Sequence, residues 1–313
     1  MKCYLCGTEN LSQLTAELRS GPGVVLHCKD CDIGMLQTVH SNLQKYYDEQ
    51  YHKSHGPRLD RSSNYEEIFD SYVNYQTQRV ELLKPWLKPG ARLLDVGCET
   101  GHFLYNVRNF VKKVVGVDYD SGAAAFAAKI CQCETFWGKL DQAGLAPASF
   151  DVVCALQTME HVEDPIAFAA MLGKYLKPDG IVYIEVPSLS DPLRVVYDIP
   201  AFRSFYFHEA HLYYFSARSL MTVMNKAGFT GNTYFVQDYN FMNHLHWIFK
   251  GKPQPSCHDG LGNPRLPMAS DCAQELRRDL EDWVKAVGKQ YQTILEKHGA
   301  TANISFIGRI SRC

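Results

Sequence analysis

Two groups of residues in this chain carry chemistry by type and spacing. The first is sulfur: Cys3-x-x-Cys6 and Cys28-x-x-Cys31 are two close pairs with 21 residues between them, the spacing that closes a tetrahedral thiolate site around zinc. Gly7 and Asp32 follow the two pairs, where each knuckle needs a tight turn. Four thiolates leave no open coordination position, so a zinc held there is structural. The second group pairs imidazoles with carboxylates: Glu160-His161, and His208-Glu209-Ala210-His211. Such groups remove protons near neutral pH, which makes His161, His208, Glu209 and His211 the candidate catalytic residues. For His161 a structural use, capping the next helix or bonding a carbonyl, is equally open.

These groups need elements to position them. Arg92–Val96 reads as a strand covered on both faces, with Leu93, Leu94 and Val96 in it. Gly97 and Gly101 then permit a tight turn into a helix and close approach of a ligand to the backbone. A second strand, Val114–Val117, ends in Asp118, 21 residues beyond Gly97, where an acid meets a ribose. Glu99 stands between the glycines. Its carboxylate suits a helix start but repels the pyrophosphate of a dinucleotide. S-adenosylmethionine has no phosphate and carries cationic sulfonium and ammonium groups, so the turn reads as a methyl-donor site. A third strand, Ser149–Ala155, leads to Glu160-His161. This pair and residues 208–211 are both placed to reach the carboxyl ends of the strands, where open α/β sheets bind ligands.

Four ordered motifs carry a family resemblance: Leu94-Asp95-Val96-Gly97-Cys98-Glu99-Thr100-Gly101, Gly116-Val117-Asp118, Phe150-Asp151-Val152-Val153 with Glu160-His161, and Leu176-Lys177-Pro178-Asp179-Gly180 before Ile181–Pro187. Over residues 75–250 the chain resembles class I S-adenosylmethionine-dependent methyltransferases, with Glu99 where that family usually has a glycine. The resemblance implies an α/β fold with a doubly wound, mostly parallel, Rossmann-like sheet. It implies that Asp118 accepts from the ribose hydroxyls, that Gly97 and Gly101 admit the methionine portion, that Asp95 orients its amino end, and that Glu99 belongs to the same loop. Asp141 falls where related enzymes have an adenine-contacting acid, a solvated loop aspartate being the other reading. The segment His211-Leu212-Tyr213-Tyr214-Phe215-Ser216 is similar to that of deoxysugar C-methyltransferases, which also begin with a four-cysteine zinc module. There His211 takes the place of the catalytic base. Those enzymes show Tyr-x-Glu-His where this chain has His208, Glu209, Ala210 and His211, a departure that weakens C-methylation relative to O-methylation.

The chain has 313 residues, 46% of them hydrophobic, and a formal net charge of −2, so it can bury a full core and has no general attraction to nucleic acid or anionic membrane. The first residues form no apolar run of signal-peptide length, and no segment reaches the length of a membrane span; a soluble, cytoplasmic protein is expected. With 11 cysteines, an odd number, and no export signal, thiols and metal ligands are expected in place of disulfides. Cys98, Cys131, Cys133 and Cys154 fall in the cofactor fold and read as small apolar residues. The expected organisation is a zinc-binding module over 1–40, a helical cap or linker over 41–90, the methyltransferase domain over 91–250, a Pro- and Gly-bearing linker over 251–270, and a helix and short strand over 271–313. Within the cap, Tyr65–Trp86 reads as one helical run, while Tyr46, Tyr47 and Tyr51 stay uncommitted. The strand at 302–308 either follows the pattern of a further domain's first strand or joins the sheet already built.

The expected function is methyl transfer from S-adenosylmethionine to a hydroxyl or carbon of a small, sugar-containing acceptor, a nucleotide-linked sugar or a polysaccharide unit, with structural zinc. Two other readings stand beside it. A ribosomal RNA base methyltransferase requires a basic metal module, yet residues 1–40 set Lys2, Arg19 and Lys29 against Glu9, Glu17, Asp30 and Asp32, which argues against phosphate contacts. A non-catalytic regulator would bind the donor and never consume it. The oligomeric state is not legible from the sequence.

Overall fold

The run Leu93-Leu94 sends successive side chains to opposite faces of a strand, and both are fully buried. Only a sheet covered on both sides does this. A computed structural model of the chain describes residues 1–37, 56–58 and 61–311; Tyr46, Tyr47 and Tyr51 lie outside the described residues. The chain begins with three antiparallel strands, β1 (Leu11–Leu18), β2 (Gly21–Cys28) and β3 (Ile33–Leu36), with the cysteine pairs at their ends. Helices α1 (Tyr65–Tyr72) and α2 (Thr77–Leu83) follow. They are not one run: the backbone breaks into a single 3₁₀ turn at Val73–Tyr75. Side-chain donors take the carbonyls there, Gln76 that of Tyr72, Asn106 that of Val73 and Arg79 that of Tyr75.

The main sheet then builds as alternating units: β4 (Arg92–Val96), α3 (His102–Val107), β5 (Lys113–Asp118), α4 (Ser121–Cys131), β6 (Glu134–Trp137), β7 (Phe150–Leu156), α5 (Pro165–Gly173) and β8 (Leu176–Pro187). Beyond it come α6 (Pro192–Val195), α7 (Pro200–Tyr206), β9 (Tyr213–Phe215), α8 (Ala217–Lys226), β10 (Phe229–Val236), α9 (Phe241–Lys250), α10 (Gln274–Lys297) and β11 (Asn303–Ile310). The seven strands lie in the order β10-β11-β8-β7-β4-β5-β6. All pairings from β8 through β6 are parallel, and β11 runs antiparallel between β8 and β10. This is a Rossmann-like, mostly parallel sheet. The strand at 303–310 therefore joins the existing sheet and does not open a further unit.

One face of the sheet, with Leu94, Val115, Val153 and Val182, packs on α5, α8 and the N-terminal residues Cys3, Leu5 and Met35. The other face, with Leu93, Val114, Val152, Cys154 and Tyr183, packs on α3, on Leu83 of α2 and on the thiols Cys98 and Cys131. Strand β9 leaves the main sheet and pairs antiparallel with β3, extending the small sheet to β1-β2-β3-β9. No helix among the described residues is long and apolar enough to cross a membrane.

Candidate active site

A cavity of about 600 Å³ opens at the carboxyl ends of β4, β5 and β7, lined by Asp95, Gly97, Glu99, Asp118, Asp141 and His161 among others. The turn after β4 makes its floor. Gly97 has φ +79°, and a Cβ there would stand 2.1 Å from Thr158 Oγ1; both the backbone and the packing demand glycine. Gly101 has φ +78° and faces Cys131 and Ala127 of α4, so a Cβ there would collide with them. Glu99 adopts φ +46°, the left-handed conformation a glycine would supply without strain. Its backbone N–H donates to Asp118 Oδ2 at 2.7 Å, and Asp118 Oδ1 accepts from the N–H of Asp120 at 2.8 Å. The Glu99 carboxylate lies 3.4 Å from His102 Nδ1. Burial and nearby Arg79 push His102 down to about 3, so the imidazole is neutral and this contact is not an ion pair.

Asp95 is buried, and its Oδ1 accepts no hydrogen bond among the described residues. Burial, with the charge of Asp118 added, raises its pKa to about 8. A buried carboxyl of this kind on a cavity wall favours a cationic ligand group. Asp141 lies in a 3₁₀ turn, Leu140–Gln142, at the cavity edge beyond β6.

A buried network on the far wall has no counterpart in the sequence reading. Arg79 of α2 donates from Nε to Glu185 Oε1 at 3.0 Å and from Nη1 and Nη2 to Asp238 at 3.1 and 2.6 Å. Tyr183 and Gln157 donate to Glu185 at 2.9 and 3.1 Å, and Asn303 donates to Asp238 at 2.8 Å. Its members come from α2, β8, β11 and the loops after β7 and β10. No local spacing announces them; a lone arginine on the inner face of a short helix is the one available signal.

The turn Met159–His161 after β7 brings Glu160 and His161 against the loop carrying His208 and His211. Glu160 is fully buried. Its Oε1 lies 3.8 Å from Nε2 of both His161 and His211, and neither of its carboxylate oxygens accepts a hydrogen bond among the described residues. Burial raises it to about 8. The imidazoles of His161 and His211 meet edge to face at 4.7 Å between centroids, and His208 packs on His211 at 3.7 Å. His161 Nδ1 lies 2.9 Å from the carbonyl of Ala210. A carbonyl only accepts, so Nδ1 carries the proton. The next helix is capped by Asp164 and not by His161. His208 and His211 line a second cavity of about 250 Å³ with Phe202, Asn243, His244 and Trp247; Tyr72, Tyr239 and Asn303 line both cavities. Glu209 turns away from this cluster and accepts from Ser20 Oγ at 2.5 Å.

The four cysteines gather at one end of the small sheet. Cys3 and Cys31 sulfurs are 3.4 Å apart, Cys6 and Cys28 sulfurs 3.5 Å, and all four lie within 4.8 Å of one another. A tetrahedral zinc with bonds of about 2.3 Å separates its sulfurs by roughly 3.8 Å. Gly7 and Asp32 both have positive φ, and their N–H groups return to the carbonyls of Cys3 and Cys28 at 2.9 Å. The donor set and its turns fit zinc. This module also holds the histidine loop: Arg19 N–H bonds the Phe207 carbonyl at 2.7 Å and Leu36 N–H that of Leu212 at 2.9 Å, while Leu212 N–H bonds the carbonyl of Glu160 at 2.8 Å.

Comparison with known proteins agrees with this architecture. Residues 68–233 match the family model described as a methyltransferase domain, and the chain belongs to that family. It is 29% identical over 119 residues to a probable S-adenosylmethionine-dependent methyltransferase of Mycolicibacterium smegmatis, covering 37% of this chain and 46% of that protein. It is 29% identical over 171 residues to phosphoethanolamine N-methyltransferase 3 of Arabidopsis thaliana, covering 50% of this chain and 34% of that protein. The chain thus spans less than half the length of these two curated relatives. An S-adenosylmethionine-dependent methyltransferase of Archaeoglobus fulgidus shares the fold with a TM-score of 0.50 at 16% identity, over 78% of this chain and 97% of that one.

Proposed function

We propose that this chain transfers a methyl group from S-adenosylmethionine to an oxygen or carbon of a small, sugar-containing acceptor. The observation that carries the reading is a pair of cavities that share Tyr72, Tyr239 and Asn303 as lining, one taking in His161 and the other His208 and His211. The larger fits the donor: Asp95 offers a buried, incompletely bonded carboxyl to its ammonium, Asp118 lines the wall where ribose hydroxyls would lie, Gly97 and Gly101 open the backbone, and Asp141 stands at the adenine end. When bound, the donor supplies an electrophilic methyl on a positive sulfur. The protein's tasks are alignment and removal of the acceptor's proton.

The smaller cavity takes the acceptor. Its aromatic walls, Phe202, Phe205 and Trp247, and its polar groups, Asn243 and His244, suit the apolar faces and hydroxyl edges of a sugar ring. The four-cysteine module and the His211–Ser216 segment, both similar to those of sugar methyltransferases, support the same acceptor class. His211 and its neighbours His161 and His208 are the proton-handling groups, whereas Glu209, bonded to Ser20, steadies the loop. Cys3, Cys6, Cys28 and Cys31 would hold one structural zinc per chain.

Isothermal titration with S-adenosylmethionine and, separately, with NAD tests the donor site. Binding of the methyl donor alone is expected, and Asp118→Ala should weaken it by roughly 1–3 kcal/mol. His211→Ala should abolish turnover of a nucleotide-sugar acceptor and leave donor affinity intact. Donor binding with no turnover of any sugar acceptor would favour the regulator reading.

A further inference from the structure

We infer that Glu160, His161 and His211 form a binding site for a divalent transition-metal cation at the junction of the two cavities, where the cation would hold an acceptor through two neighbouring oxygens. The inference rests on the methyl-transfer reading only for its role; the site itself stands on geometry. One ligand atom from each residue lies within 4.8 Å of the others. The two distances from Glu160 Oε1 to imidazole Nε2 are each 3.8 Å. Ligand bonds of about 2.1 Å place neighbouring donor atoms roughly 3.0–3.4 Å apart in octahedral or tetrahedral arrangements. Closing the two Glu160 distances onto an ion takes about 0.4–0.8 Å of side-chain movement, and the two imidazoles start no more than 4.8 Å apart.

The hydrogen-bond pattern points the same way. Because Nδ1 of His161 donates to the Ala210 carbonyl, its Nε2 presents a lone pair when the ring is neutral. A backbone carbonyl behind a ligating imidazole is the usual outer partner of a metal-bound histidine. That Nε2 nitrogen lies 3.8 Å from Glu160 Oε1, a fully buried carboxyl oxygen that accepts no hydrogen bond among the described residues. A carboxyl group held so in a dry site is unfavourable unless a proton or a cation lies beside it. Two imidazoles and one carboxylate suit Zn²⁺, Fe²⁺ or Mn²⁺ better than Ca²⁺ or Mg²⁺, and three protein ligands leave positions open. The cysteine cluster, by contrast, is a closed set.

This assigns the acceptor a chemical class: a vicinal diol, or a hydroxyl beside a carbonyl, as sugars provide. A hydroxyl on the cation loses its proton more readily. With His161 and His211 committed to the cation, His208, packed on His211, is the imidazole of the three that takes the O–H proton. The oxygen's electron pair forms the new O–C bond as the methyl–sulfur bond breaks, its pair remaining on sulfur.

The test is titration of Mn²⁺ into the full chain, freed of loosely held metal and verified to retain its cysteine-bound zinc, followed by loss of the free-ion electron paramagnetic resonance signal. Mn²⁺ competes poorly for thiolates. One equivalent should bind to the wild type, and binding should weaken at least about tenfold in Glu160→Gln and in His211→Ala. No uptake by the wild type, or uptake undiminished in both variants when zinc content and melting show them folded, overturns the site. It would mean that a proton, and not a metal, lies between Glu160 and the imidazoles. Donor titration on the same sample is independent of this result, so failure of the metal site and failure of the methyl-transfer reading are told apart.

Discussion

At Glu99 the chain sets an ordinary residue in a left-handed conformation, φ +46°, at a cost of about 1–2 kcal/mol. The loop keeps its shape because Asp118 anchors the Glu99 N–H. Glutamate, where the family this chain resembles usually has glycine, therefore leaves strain stored in the turn. Asp95 carries a second consequence. Its pKa in the fold is about 8, raised first by burial and then by Asp118, against an ordinary value near 4 when unfolded. Between those values the folded state holds a proton that the unfolded state has released, so the contribution is present at low pH and is lost as pH rises through about 8. Melting temperatures at about pH 5 and about pH 8 should fall further in the wild type than in Asp95→Asn. Equal falls would show that another group titrates. Asp95, Gly97, Gly101 and Asp118 are legible in sequence because one strand, one turn and the next strand end place them within a single βαβ unit.

Elements are legible less evenly. The cysteine knuckles announce themselves by local spacing, but the pairing of β9 with β3 joins residues far apart in the chain through only three positions, Tyr213, Tyr214 and Phe215. Nothing in either segment advertises the other. The same holds for Arg79, Glu185 and Asp238, whose meeting depends on helix and sheet being already in place. The four-cysteine module is nevertheless tied to the loop that carries His208 and His211, by the pairing of β9 with β3 and through Arg19, Leu36 and Leu212. Stripping metal from the cysteines should therefore increase amide hydrogen exchange over residues 205–216, with little change over 92–118, read by mass spectrometry. Exchange unchanged at 205–216 would show that the module stands apart from the site.

On the scale of the whole molecule, the sheet depends on β11. It pairs with β8 through six residues and with β10 through eight, and buries Ile304, Ser305 and Phe306 completely. The sequence shows an apolar strand but not its position, since antiparallel insertion between two earlier strands leaves no trace in composition. Deleting residues 299–313 should strip β8 and β10 of their shared neighbour and yield insoluble protein. A soluble product with a cooperative melt would mean that β10 closes onto β8 directly.

The same strand sets a timetable for synthesis. Strands β4 to β8 emerge from the ribosome well before β11, and until residue 310 has cleared the exit tunnel the β8 edge has no partner. At about 5–20 residues per second, the nascent chain exposes that apolar edge for roughly 6–25 seconds. A chaperone that shields β8 during this interval, or a pause in translation before it, should affect the yield of folded protein more than any measure taken after the chain is released.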